Sequence, residues 1–379
     1  MGEAYIIDAC RTPRGRRKGS LAEVHPIDLF VVPLHAIIKR VGVDPREVDD
    51  VVVGCVTETG EQGTNIARSA VLAAGWPVEV PGVTLNRFCG SGQQAVNFAA
   101  QAVKAGAQDL VVAGGVESMT RVPMGADMGP LPPSLMEKYN LIPQGLSAEM
   151  VAEHWHFSRQ QIDEFALGSQ QKAWHAIQEG RFKKGIVPFE VTHNGEKKRF
   201  DTDEHVRPQS TLEGLMALQP SFKPDGKITA GNSSGIVDGA AVVMLASDKK
   251  VKELKLKPRG RIVDQVIVGS DPVIMLTGPI AATQKILKRT GMKIDQIDLI
   301  EINEAFAPVP LCVMQEIGMD PESVNVNGGA IALGHPLGAT GAMLIGILLD
   351  ELERRNKRYG LATMCIGIGM GITTIVERL

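Results

Sequence analysis

Cys89 stands in the run Asn86-Arg87-Phe88-Cys89-Gly90-Ser91-Gly92. Directly after it, residues 93–104 carry apolar side chains at Val96, Ala99, Ala100 and Val103, the spacing of one helix face. A cysteine in the turn before a helix lies beside unpaired backbone N–H groups and the positive end of the helix dipole, and both stabilise a thiolate. A free cysteine titrates near about 8.5, and such surroundings bring it to roughly 3.5–7.5. Cys89 is therefore expected to be a nucleophile with a lowered pKa. A cysteine in general is more often a small buried hydrophobe. The glycines at 90 and 92 argue for the reactive role, because they let a ligand approach the backbone.

Three further places carry reactive types. His335 lies in Gly334-His335-Pro336, where the proline favours an extended backbone and the glycines open the loop. A solvated loop histidine reads the same way. Cys365 follows a strand-like run and precedes Gly367, Gly369 and Gly371, so its thiol and the neighbouring N–H groups could face a ligand. Asn303-Glu304 ends the strand Leu299–Ile302, where a helix cap or turn is the ordinary reading. All four places come just after a predicted strand, and ligands collect outside the carboxyl ends of strands in α/β sheets.

The elements that must position them alternate. Strand-like runs at 4–9 and 51–55 are interleaved with helical ones at 27–40 and 65–74, which predicts a layered α/β core. The order then repeats. Val48-Asp49-Asp50-Val51-Val52-Val53 is similar to Ile297-Asp298-Leu299-Ile300-Glu301-Ile302. The Cys89 turn and helix have a counterpart in the glycine-rich turn 327–341 and a helix over 342–354, and the strands at 109–115 and 360–367 also match. Two similar halves follow. Between them, residues 119–227 change character: 124–133 is rich in Gly, Pro and Met, and 194–203 is polar. A helix over 158–179 opens with Ser158 and Gln161 spaced as a capping box.

The bulk numbers set limits. A chain of 379 residues is long for one core and suggests two domains, or two with an insertion. With 44% hydrophobic and 22% charged residues and 41 glycines, it has a globular composition. A formal charge of −3 supplies no basic field for nucleic acid. No apolar window is long enough to span a bilayer and no leader is recognised, so a cytoplasmic protein is expected. Five scattered cysteines (Cys10, Cys55, Cys89, Cys312, Cys365), never in C-x-x-C pairs, argue against a disulfide framework and against structural zinc.

Along nearly its whole length the sequence resembles the thiolase family. The matching stretches are Arg11-Thr12-Pro13, the Cys89 run, Gly114-Gly115-Val116-Glu117-Ser118-Met119, Thr229-Ala230-Gly231-Asn232-Ser233-Ser234, Asn303-Glu304-Ala305-Phe306-Ala307, residues 327–336 ending in Gly334-His335-Pro336, and 365–371. The resemblance implies a thiolase fold, α/β, with two similar layered α-β-α-β-α halves related by pseudo-twofold symmetry and an inserted loop domain. The corresponding division is 1–118 plus 228–258 for the N-terminal half, 119–227 for the insertion, and 259–379 for the C-terminal half. It also implies that Cys89 accepts the acyl group, His335 takes its proton, and Cys365 is the acid and base. One oxyanion hole would be His335 with a water held by Asn303, and the other the N–H groups of Cys89 and Gly367. Coenzyme A, a substrate and not a bound cofactor, would lie along Ser234, Phe306 and Arg207, with no metal. A homodimer or homotetramer and a hydratase–dehydrogenase partner also follow from the resemblance.

The implied reaction is thiolytic cleavage of 3-ketoacyl-CoA in fatty-acid β-oxidation, or its reverse, acetyl-CoA acetyltransfer to acetoacetyl-CoA. Short-chain biosynthetic thiolases carry His-Met where this chain has Pro143-Gln144, ahead of Gly145-Leu146-Ser147-Ala148-Glu149. Strict acetoacetyl-CoA specificity is therefore not expected. Ile368 also stands where glycine is common. A β-ketoacyl synthase shares the fold but needs no second thiol, so Cys365 argues against it. A silent CoA-binding relative would have lost one of the four reactive side chains, and all are present.

Overall fold

The computed structural model describes residues 2–379. The chain begins with β1 (Tyr5–Arg11), a short β2 (Gly15–Arg16), α1 (Pro26–Val41), β3 (Asp50–Gly54), α2 (Ile66–Ala73), β4 (Gly82–Leu85), α3 (Ser91–Ala105) and β5 (Leu110–Ser118). It then leaves this half through α4 (Pro133–Met136), α5 (Gln144–His154), α6 (Arg159–Gln178), the hairpin of β6 (Phe189–His193) and β7 (Glu196–Phe200), and α7 (Leu212–Met216). It returns with β8 (Val237–Ala246) and α8 (Asp248–Glu253). The second half runs β9 (Gly260–Gly269), α9 (Gly278–Thr290), β10 (Leu299–Ile302), α10 (Pro308–Ile317), α11 (Ala330–Leu333), α12 (Leu337–Arg354), β11 (Tyr359–Ile366) and β12 (Met370–Arg378).

The repeat seen in the sequence is a repeat in the sheet. The first half orders its strands β4-β3-β5-β8-β1, and the second β10-β11-β12-β9. In each half the strands towards the outer edge are parallel (β4, β3 and β5; β10 and β11), and β8 or β12 returns antiparallel. The place of β4 is taken in the second half by Val324, which bridges Ile300 in the parallel sense. The halves join where Tyr5 and Ile6 pair with Arg261 and Gly260. One side chain repeats too. Asp49 accepts the N–H groups of Asp109 and Leu110 at the start of β5, and Asp298 accepts those of Arg358 and Tyr359 at the start of β11.

Side chains alternate across the strands and so build five layers. In β8, Ala241, Val243 and Leu245 face a central core with α3 and α12, whereas Ala240, Val242 and Met244 face an outer core with α1 and α2. In β11, Ala362, Met364 and Ile366 face the same central core, whereas Leu361 and Cys365 face the other outer core with α9 and α10. Strands covered on both faces read as unbroken apolar runs, as in the wholly buried β5. The two central helices approach closely: a Cβ on Gly92 would stand 2.5 Å from the Gly338 carbonyl oxygen.

That contact explains one departure from expectation. The glycines of 327–341 read as a loop with a helix from 342, but α12 already starts at Leu337 and the short α11 precedes it. Gly338 and Gly341 serve helix packing and not loop freedom. Within 194–203, Phe200 turns inward and packs edge-on against Phe189, centroids 6.3 Å apart, which closes the hairpin. The capping box at Ser158 and Gln161 forms with both reciprocal bonds.

The 119–227 segment is tied to the first half by a buried charge cluster. Asp203 pairs with Arg11 at 2.6 Å and accepts the Arg14 N–H at 2.8 Å, all three residues being buried. Breaking such a pair from one side leaves an uncompensated buried charge. Met124, Met128 and Leu131 of the same segment are exposed. Among the described residues, no helix is long and apolar enough to cross a membrane.

Candidate active site

The turn that presents Cys89 is made by its own motif. Asn86 accepts the Phe88 N–H at 2.8 Å and donates to the Val56 carbonyl at 2.8 Å. The Ser91 hydroxyl accepts from Arg87 N–H at 2.8 Å and donates to the Phe88 carbonyl at 2.6 Å. Between them Phe88 is held at φ +45°, a conformation non-glycine residues seldom adopt. Cys89 follows at the foot of α3 in an apolar nest of Val56, Met119, Leu337 and Phe88.

Burial dominates the chemistry of this thiol. It pushes the Cys89 pKa up to about 11, although the N–H of Cys89, the Gln144 side chain and the N–H of Gly367 favour the thiolate and pull the other way. The lowered pKa expected from the helix start is therefore not what the resting site has. The donors are present, but desolvation of a charge in an apolar pocket outweighs them. The two N–H groups expected to form an oxyanion hole, those of Cys89 and Gly367, are both among the donors that favour the Cys89 thiolate.

His335 is buried just before α12, and its Nδ1 lies 2.6 Å from the Thr340 hydroxyl. That hydroxyl donates to the Pro336 carbonyl at 3.1 Å, so it accepts from Nδ1–H. Nε2 is left with its lone pair, 3.3 Å from the Asn303 side-chain nitrogen. Burial, then the Arg14 guanidinium, hold the His335 pKa down at about 3, so the imidazole is neutral over the physiological range. A neutral thiol and a neutral base thus stand in one site.

Cys365 is the penultimate residue of β11 and fully buried, its pKa pushed well above the ordinary value by burial and then by Cys89. Gly367 follows in the turn to β12, where Ile368 takes φ +60° and is partly exposed. For a β-branched residue that conformation is strained.

Three residues have roles that sequence reasoning did not assign. Glu117 is buried and accepts from the N–H groups of Val56, Thr57 and Gly338 and from Gln62, so it ties the loop beside Cys89 to the start of α12. Glu304 is no helix cap: it accepts from Ser169, Asn325 and the Ile331 N–H, and holds the loop that carries His335. Thr340 fixes the His335 tautomer, as above. Glu117 and Glu304 each sit inside a recognised motif, and that was their only signal.

A cleft of about 550 Å³ opens over the nucleophile, lined by Cys89 and His335 together with Ser234, Phe306 and Arg207. Asn303, Cys365 and Gly367 are not in that lining: Asn303 meets it through His335, and Cys365 and Gly367 are near enough to Cys89 to act on its charge or be acted on by it. Phe306 stacks edge-on with Phe222, centroids 5.9 Å apart. Arg16 and Arg17 add positive charge to the lining. Among the described residues, no group of three His, Cys, Asp or Glu side chains is placed to hold a metal ion.

Comparison with known proteins agrees in both halves. The thiolase N-terminal domain matches residues 4–249 and the thiolase C-terminal domain residues 256–378. The steroid 3-ketoacyl-CoA thiolase of Mycobacterium tuberculosis is 47% identical, the match covering 100% of this chain and 95% of that protein. A beta-ketoadipyl-CoA thiolase of Acinetobacter baylyi is 45% identical over 100% of both chains. The crystal structure of the Bacillus anthracis acetyl-CoA acetyltransferase superimposes with a TM-score of 0.93 at 40% identity, covering 100% of this chain and 99% of that one. The chain belongs to the thiolase family.

Proposed function

We propose that this enzyme cleaves a 3-ketoacyl-CoA with coenzyme A to acetyl-CoA and a shortened acyl-CoA, through an acyl group carried on Cys89, in fatty-acid β-oxidation. The observation that carries this is the pair of neighbouring buried thiols with one neutral imidazole beside the same cleft. Thiolysis needs two proton-handling steps besides the nucleophilic one, and a second thiol supplies the extra group. Relatives named for 3-ketoacyl and beta-ketoadipyl thioesters support the degradative direction.

The steps balance as follows. The Cys89 thiol gives its proton to His335 Nε2 as the sulfur attacks the 3-keto carbon. The bond between carbons 2 and 3 breaks, and the acetyl-CoA carbanion takes the proton of Cys365. Acetyl-CoA leaves, and incoming CoA–SH returns a proton to Cys365 as its own sulfur attacks the acyl-Cys89 carbonyl. Cys89 departs as thiolate and recovers its proton from His335. Because the resting thiol and imidazole are both neutral, the charge appears only during attack, where His335, Asn303 and the N–H groups of Cys89 and Gly367 are aimed. Ser234 and Phe306 would flank the pantetheine arm and Arg207 the nucleotide.

The same reading divides the chain into 1–118 plus 228–258, 119–227, and 259–379. It includes a cytoplasmic dimer or tetramer acting after a hydratase–dehydrogenase. A thiolysis assay over 3-ketoacyl-CoA chain lengths tests it. CoA-dependent cleavage is expected beyond acetoacetyl-CoA. Cleavage of acetoacetyl-CoA alone would move the enzyme to the biosynthetic reading, and no cleavage at all would defeat both.

A further inference from the structure

We propose that Gln144, supplied by the inserted segment, is a catalytic residue: its side-chain amide is a third donor to the reacting sulfur, beside the N–H groups of Cys89 and Gly367. The proposal rests on Cys89 being the nucleophile. Gln144 is the first residue of α5, and α5 is pinned at two points. Gly145 lies flat under the Phe222 ring, with no room for a Cβ, and Phe222 in turn packs on Phe306. Buried Glu149 accepts the N–H groups of Lys227 and Ile228, both at 2.8 Å, which ties the helix to the chain returning towards β8. With the helix so fixed, Gln144 enters the cleft wall beside Cys89, His335 and Phe306.

The amide lies beside Gly367, the residue that supplies one of the other donors. A Cβ on Gly367 would stand 3.6 Å from Gln144 Nε2, and Gln144 and Cys89 line the same cleft, where the amide favours the thiolate. The rest of the nest is Val56, Met119, Leu337 and Phe88, none of which can donate. The charged and titratable groups facing the sulfur are Glu117 of β5, which opposes a thiolate, the neutral His335, and Cys365 of β11. Neutral donors placed at the sulfur add to the stabilisation of the developing charge, and in an apolar pocket each counts for more than in water.

Alkylation of Cys89 by iodoacetamide in the full-length enzyme, followed by peptide mass against pH, tests the role. Gln144→Met keeps the length and removes the donor. Its alkylation rate at a fixed pH near 8 should fall about tenfold, the profile shifting about one pH unit upward. The KM for CoA should stay near the wild-type value while acylation slows in proportion. Gln144→Glu keeps the size and places a carboxylate at the sulfur, so its rate should fall at least as far. Thermal melts of both variants identify any loss of fold, and either folded variant suffices. A profile superimposable on wild type in a folded variant, with Cys89 still the labelled residue, overturns the role of Gln144 alone. Absence of label on Cys89 in the wild-type enzyme overturns the nucleophile reading and this proposal together.

Discussion

At Cys89, burial and hydrogen bonding oppose one another, and burial prevails in the resting enzyme. His335 is held neutral by the same cause. Proton transfer from thiol to imidazole is then part of the attack, and the tautomer of His335 decides whether it can occur. Thr340 sets that tautomer by accepting from Nδ1–H. Thr340→Val keeps the shape and removes the acceptor, and turnover should fall by roughly 10- to 100-fold with the KM for CoA little changed. Unchanged turnover in stopped-flow assays would show that the tautomer is fixed otherwise. At this scale the sequence was legible where reactive types stand in glycine-rich turns, as at Cys89, His335 and Cys365, and Asn303, at a strand end without glycines, comes within 3.3 Å of His335. Thr340 was hidden because the glycines around it masked the true start of α12. The Cys89 pKa was misjudged because a helix start is a local feature, whereas the nest of Val56, Met119 and Leu337 comes from three distant segments.

The elements make the repeat physical. Each half sends one central helix, α3 or α12, into the shared core, and each fixes the start of the strand after it by one aspartate. Asp298→Ala removes two charge-assisted bonds at the start of β11, the strand that carries Cys365 next to its end. It should lower unfolding stability by about 1–2 kcal/mol in urea titrations, with kcat nearly unchanged. No loss of stability would show that the strand end is held by its ladder alone. The strands at 4–9, 51–55, 109–115, 299–302 and 360–367 and the outer helices at 27–40 and 65–74 were legible from their apolar periods, whereas β8, β9, β12, α9 and α10 were not read. The two-strand hairpin of the insertion was not, because its outward residues, Glu196, Lys197 and Lys198, are all polar and exposed.

Across the whole molecule, the site exists only where the halves meet. Cys89 comes from the first half and Cys365 from the second, while the insertion closes the cleft with Gln144 and Arg207. Strand β4 ends the sheet with an unpaired edge that carries exposed Val83, and Val78 and Phe98 are exposed as well. An apolar open edge invites a second copy. Sedimentation at micromolar concentration should show a dimer or tetramer, and monomer alone would contradict that assembly. The central claim is that the acyl group resides on Cys89. The most direct measurement is mass spectrometry of the enzyme after incubation with an acyl-CoA: one acyl group per chain, on the peptide holding Cys89 and absent from Cys89→Ala, is the predicted result, and full labelling of Cys89→Ala would contradict it.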